Sequence, residues 1–182
     1  MLKISIIIGS VRMGRQSHKT GLYVAKKLSE KPDVEVEVLD LLDYNFPVME
    51  ERMGIHPTPP PGLDAFSKKL FASDAIVLVS PEYNGSYSGA LKNVLDYFAK
   101  EFKRKVMGVV TDSSGDFAGI SASYQLQLFI LRMGAVACPV KLMVPQVQKA
   151  FGEDGNPVDE KTIKGTEAFI DELLWLTSKL KT

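Results

Sequence analysis

The sequence predicts an α/β fold: a five-stranded parallel sheet of strand order 2-1-3-4-5 with helices on both faces, a three-layer sandwich. Three observations predict it. Apolar strand-like runs alternate with segments of helical spacing five times along 182 residues, the repeating unit of a parallel sheet. The first run, Leu2 to Ile8, is β-branched and almost uninterrupted, as a strand buried on both faces should be. The most polar, glycine-containing turns follow the first, third and fourth runs, and in such a sheet these turns share the edge where strand order reverses. With no linker, repeat or low-complexity block, residues 1–182 are expected to form one domain.

After Leu2–Ile8, Gly9 to Ser17 breaks the strand, and a helix is expected from about Gln16 to Glu30, with Tyr23, Val24 and Leu28 on its apolar stripe. Val34 to Leu39 alternates valine and glutamate as a half-exposed strand does. Residues 40–62 are irregular and contain three consecutive prolines, Pro59 to Pro61, which favour extended chain. A connection this long is a candidate lid or subunit contact, with Tyr44, Phe46 or Met49 over a ligand. Leu63, Phe66 and Leu70 mark a short helix, and Ala75–Ser80 the third strand. A helix carrying Ala90, Leu91, Val94, Leu95 and Phe98 follows, then a strand from Lys105 to Val110. Ile120, Tyr124, Leu128 and Leu131 mark one face of the next helix, although Leu126, Phe129 and Ile130 lie off it, which predicts burial on more than one side. Ala135–Val144 reads as the fifth strand, and Ile163 to Leu180 as a closing helix.

Composition narrows the function classes. The 22 basic and 22 acidic side chains cancel, which argues against a general nucleic-acid or anionic-membrane binder. Cys138 is the one cysteine, so no intrachain disulfide forms, and it is expected to be a buried small apolar residue. No apolar run approaches the roughly 20 residues of a membrane helix, and the N-terminus lacks the layout of a signal peptide. A cytoplasmic protein without a metal centre is expected.

Three loops carry the candidate chemistry. The first offers the Ser10 and Ser17 hydroxyls, the Arg12 and Arg15 guanidiniums and the amides of a helix N-terminus, a set suited to phosphate. The same residues also fit a strand-to-helix turn with Ser17 as N-cap and two solvated arginines. The loop lacks the Lys-Ser/Thr pair of a Walker loop and the Gly-x-Gly-x-x-Gly spacing of a dinucleotide fold, which favours a monophosphate over a pyrophosphate. In the second loop Tyr83 can cover a flat ring and Asn84 can bond its polar edge, while Asn84-Gly85 also suits a tight turn. The third, Ser113-Ser114-Gly115-Asp116, offers amides and hydroxyls to a pyrimidine-like edge, or else caps a helix.

The stretches G-S-V-R-M-G-R-Q-S-H at 9–18 and P-E-Y-N-G-S-Y-S-G-A-L-K-N-V-L-D-Y at 81–97 resemble the NADPH-dependent FMN reductase family, a flavodoxin-like group that includes azo, quinone and chromate reductases. The resemblance covers nearly the whole chain. It implies non-covalent FMN, its phosphate surrounded by Ser10, Arg12, Gln16, Ser17 and His18. Pro81, Glu82, Tyr83 and Asn84 would line the ribityl chain and ring, and Ser113, Ser114, Gly115 and Asp116 the pyrimidine edge. NAD(P)H would pass hydride through FMN to a small acceptor such as a flavin, quinone, azo compound or metal oxyanion. No residue is assigned as acid or base; Glu82 and His18 are expected to bind or support. Members commonly form dimers or tetramers, which implies a homo-oligomer through the 86–100 helix; Leu91, Val94, Leu95 and Tyr97 suit that contact, and packing on their own sheet explains most of these positions equally well. Ser88 departs from the proline that members often have, which implies a less rigid loop. An FMN electron carrier without NAD(P)H activity is the alternative, disfavoured by the neutral charge and by Arg12 and Arg15. A flavin-free binding protein is a third reading.

Overall fold

In a computed structural model of the protein, which describes residues 1–181, the chain begins with β1 (Leu2–Ile8), α1 (Ser17–Ser29) and β2 (Val34–Asp40). It continues through α2 (Leu63–Ala72), β3 (Ala75–Tyr83), β4 (Ser86–Tyr87), α3 (Gly89–Asp96) and β5 (Val106–Asp112). The last third holds α4 (Ile120–Arg132), β6 (Val136–Ala137), β7 (Leu142–Val144), α5 (Val147–Ala150) and α6 (Glu160–Leu180). The main path through the sheet is β2-β1-β3-β5-β6, with β7 also on β5, and all these pairs are parallel. That is the expected order, with its fifth strand in two pieces.

Strand alternation divides the interior into two cores. Ile4, Ile6, Ile8, Val77 and Val79 pack with Val24 and Leu28 of α1 and Phe169 and Leu173 of α6. Ile7, Ile76, Leu78 and Val109 face the other way, onto Phe66 of α2, Leu91 and Leu95 of α3, and Leu126 and Ile130 of α4. Five strand positions in β3, Ala75 to Val79, are fully buried, so the loops at its carboxyl end rest on a rigid centre.

Four expectations are corrected. The single fifth strand, Ala135–Val144, is interrupted: Pro139 has no N–H for the ladder, and pairing with β5 resumes only at Leu142. Cys138 sits at that break, buried as expected, and burial pushes its thiol up to about 11. The face of α4 turned to the core is Ala122, Leu126 and Ile130; Tyr124, Leu128 and Leu131 point to solvent. The residues expected at a subunit contact through α3, namely Leu91, Val94, Leu95 and Tyr97, are buried in the subunit's own core.

The fourth correction concerns residues 40–62. Tyr44 and Phe46 pack on Phe66 of α2, with ring centroids 4.8 and 5.7 Å away, and do not form a lid. A short 3-10 turn, Leu41–Asp43, opens the segment, capped by the Asp40 carboxylate. Asn93 then clamps it to α3: its Oδ1 accepts from the Met49 N–H at 2.8 Å and its Nδ2 donates to the Pro47 carbonyl at 2.7 Å. The Tyr97 hydroxyl donates to the same carbonyl at 3.0 Å. Asn93→Ala removes both amide contacts. It should cost about 1–3 kcal/mol in urea denaturation and speed proteolytic cleavage within 44–62. Unchanged cleavage would mean that the aromatic contacts hold the segment alone.

Candidate functional site

A cavity of about 710 Å³ opens at the carboxyl ends of β1, β3 and β5, within the range of cofactor pockets. All three loops reach it. Arg12, Gln16, Ser17, Pro81, Glu82, Tyr83, Asn84, Ser113 and Ser114 line it, together with Gly14, Arg15, Asp112, Val147 and Gln148. Four expected site residues, Ser10, His18, Gly115 and Asp116, do not.

The first loop leaves β1 at Gly9, whose N–H donates to the Val79 carbonyl at 2.8 Å. A Cβ on Gly9 would lie 2.9 Å from that oxygen and from Leu91 Cβ, so only glycine allows this approach. Ser10 is buried, and its hydroxyl shares a 2.9 Å hydrogen bond with that of Tyr83, tying the first loop to the second. Arg15 is not free for an anion: its two terminal nitrogens hold both Asp40 oxygens, at 2.5 and 2.6 Å, and one also donates to the Ser10 carbonyl. Burial works against the Asp40 charge, yet this fork holds its carboxyl below the usual range. Arg12 is exposed and forms no ion pair among the described residues. Burial, and then Arg15 and Lys19, lower the His18 pKa, and its Nδ1 is buried without a partner.

Gln16 rather than Ser17 is the N-cap of α1, and its side chain makes no cap hydrogen bond; it donates to the Gly14 carbonyl instead. The first turn carries no acid, so the positive end of a 13-residue helix is left open to the cavity.

The second loop is a hairpin. β3 runs on to Tyr83, turns at Asn84-Gly85 with φ of 51° and 76°, and returns as β4, Glu82 opposite Tyr87. Two positive φ values in a two-residue turn explain this dipeptide. Glu82 Oε2 accepts from the Ser121 and Ala122 N–H groups at 2.9 and 3.2 Å, capping α4, whose own N-cap is Gly119. The carboxylate therefore has a structural task at the site's rim. The implied loss of rigidity at Ser88 is corrected too. Its N–H donates to Ser80 Oγ at 3.0 Å, which proline cannot do, and its hydroxyl donates to the Gly9 carbonyl at 2.5 Å. Ser88 Oγ also accepts from the Leu91 N–H and caps α3.

The third loop is braced by the chain around α5. Gln146 donates to Asp116 at 2.6 Å and Gln148 to the Ser114 carbonyl at 3.3 Å, which turns Asp116 away from the cavity. Sequence reading missed Asp112, which lies beyond the strand expected to end at Val110 but which ends β5. It is fully buried and accepts from Ser17 Oγ at 2.7 Å and Thr20 Oγ1 at 3.2 Å. The available signal was the i, i+3 spacing of Ser17 and Thr20 on one helix face opposite an acid ending an apolar run.

The sequence profile of the NADPH-dependent FMN reductases matches residues 2–149. The NAD(P)H-dependent FMN reductase ntnL of Nectria sp. is 31% identical over 156 residues, covering 80% of this chain and 76% of its own. A probable NADPH:quinone oxidoreductase 2 of Oryza sativa subsp. japonica is 31% identical over 166 residues, covering 87% and 80%. Among solved structures, FerB from Paracoccus denitrificans, a flavoenzyme NAD(P)H:(acceptor) oxidoreductase, superposes with a TM-score of 0.81 at 26% identity, over 98% of each chain.

Burial of Asp112 raises its carboxyl to about 6, more than its two hydroxyl partners lower it. The native state then holds a proton that the unfolded chain has lost. The resulting stabilisation is complete below the unfolded value near 4 and is lost as pH rises through 6. Relative to Asp112→Asn, the wild type should lose on the order of 3 kcal/mol between pH 4 and 7.5 in urea denaturation, and parallel pH profiles would refute an elevated pKa.

Proposed function

The chain belongs to the NADPH-dependent FMN reductase family and is an FMN-dependent NAD(P)H oxidoreductase, and on that premise we propose that the cavity between the three loops is its flavin site. The observation that carries the assignment is the uncapped, acid-free N-terminus of α1 opening beside the unpaired Arg12 guanidinium. Amides and a fork-shaped cation suit a phosphate monoester.

The remaining donors fit the rest of that group. Gln16 and Ser17 stand at the phosphate end; Pro81, Tyr83 and Asn84 form a wall for the ribityl chain and ring; Ser113 and Ser114 offer hydroxyls and amides to a heterocycle edge. Of the four expected residues that do not line the cavity, Ser10 orients Tyr83 and Asp116 fixes the third loop through Gln146. When bound, FMN supplies the two-electron chemistry between NAD(P)H and acceptor. The protein's own residues position it, shape access and keep Glu82 engaged at α4, so no side chain is assigned a proton transfer. The acceptor is a small molecule, a quinone being the class named for the rice relative.

The proposed oligomer is a second copy of this chain, seated on α4 instead of α3. Ile120, Tyr124, Leu128 and Leu131 form an exposed apolar stripe, extended by Phe117, which is 81% exposed. Together they offer on the order of 600 Å² of apolar surface, the top of the range for a single monomer patch and most of one side of a standard interface. No helix among the described residues is long and apolar enough to cross a membrane, and a cytoplasmic location is proposed with the single buried thiol.

The deciding experiment is anaerobic. FMN-loaded protein should bleach on adding NADPH or NADH and regain colour with a quinone, whereas no bleaching with either nucleotide would favour an electron carrier. In the same preparation Arg12→Ala should weaken FMN binding about 10- to 100-fold and leave riboflavin unaffected, the worth of one charge-assisted contact. For the oligomer, Leu128→Lys should shift light-scattering mass to the monomer; an unchanged mass would remove α4 from the interface.

A further inference from the structure

Two donors at the phosphate end are turned inward. Ser17 lines the cavity, yet its single hydroxyl proton is given to Asp112 Oδ1 at 2.7 Å; Thr20, one turn on, gives its proton to Oδ2 at 3.2 Å. These are the only side chains that hydrogen-bond the Asp112 carboxylate among the described residues. The carboxylate lies on the cavity wall, fully buried, with no cation paired to it among those residues. Its strand neighbours are Pro81 on β3 and Val144 on β7. The nearby charged groups are otherwise engaged: Arg15 with Asp40, Glu82 with the α4 amides, Asp116 with Gln146. His18 sits beside Arg15 and Lys19, and Arg12 on the cavity wall forms no ion pair among the described residues. A phosphate dianion entering at α1 therefore meets a buried like charge and a hydroxyl with no proton to offer.

We propose that Asp112 is a proton-linked positioning residue for the phosphate end of the flavin site. Cofactor binding draws one proton from solvent onto the carboxyl, which then donates to Ser17 Oγ. The hydrogen bond between them reverses direction, and the Ser17 hydroxyl proton becomes free to bond a phosphate oxygen. One protonation thus removes the repulsive charge and creates a donor. Its raised pKa, about 6, makes this uptake accessible near neutral pH. The proposal rests on the assignment of the cavity to FMN.

The test is calorimetric titration of apo-protein with FMN in buffers of different ionisation enthalpy, with Asp112→Asn beside the wild type. At pH 7.5, where the phosphate monoester, whose second pKa is about 6, is already mostly a dianion, the wild type should take up close to one proton more than the variant. Its affinity should fall as pH rises from 6.5 to 8.5, by up to about tenfold per unit. The amide introduced by Asp112→Asn donates permanently to Ser17, so that variant should hold the wild type's acid-side affinity across the same range. Ser17→Ala keeps the buried acid and should weaken FMN binding at pH 6.5 but barely at pH 8.5. Riboflavin affinity should follow pH in none of them. Equal proton counts, parallel pH slopes, or a Ser17→Ala loss of equal size at both pH values would overturn the coupling while leaving the flavin site intact. Absence of FMN binding at every pH in every protein would overturn the flavin assignment and the coupling with it.

Discussion

The site depends on one close approach. The first loop is drawn against β3 and α3 by the Gly9 N–H on the Val79 carbonyl and by the Ser88 hydroxyl on the Gly9 carbonyl. A single residue, Ser88, thereby fastens three things: its hydroxyl holds the end of β1 and the start of α3, and its backbone N–H holds the return of the hairpin to Ser80. Together with the Ser10–Tyr83 hydrogen bond, the Ser88 contact with Gly9 gives the uncapped N-terminus of α1 and the Tyr83 wall a common frame. Buried hydroxyl contacts of this kind contribute little net energy but are costly to leave unmade, which makes the arrangement specific.

The same restraint governs the charged residues around the cavity. Four ionisable groups suggest themselves for chemistry from the sequence: Arg12, Arg15, His18 and Glu82. The fold uses Arg15 to hold Asp40 and Glu82 to cap α4, and it buries one nitrogen of His18 without a partner. Of the four, Arg12 stays available. A flavin enzyme can tolerate this because its cofactor brings the reactivity, and the protein needs rigid placement more than proton donors.

What was legible in the sequence was what local chemistry decides. Asn84-Gly85 announced its turn, the five alternations announced the sheet, and the loop positions announced the edge carrying the cavity. The failures have physical causes. In α4, the stripe Ile120, Tyr124, Leu128, Leu131 and the stripe Ala122, Leu126, Ile130 both have helical spacing, and only the sheet's location selects the second. At Ala135–Val144 the apolar run outweighed Pro139, although one missing N–H suffices to divide a ladder. Asp112 was lost because its partners lie 95 and 92 residues upstream, and strand propensity gives no reason to continue β5 through an aspartate.

The division of the last strand at Pro139 has a consequence for solubility. A parallel sheet has two open edges, each a row of amides and carbonyls that can recruit a foreign strand. On one side only the two-residue β6 and the three-residue β7 face outward, with a proline between them, too short a template for a neighbour to extend. On the other side β2 carries Glu35 and Glu37, paired with Lys3 and Lys69. A strand docking there would meet this row of charge. The irregularity that spoils the fifth strand thus protects the chain from edge-to-edge aggregation.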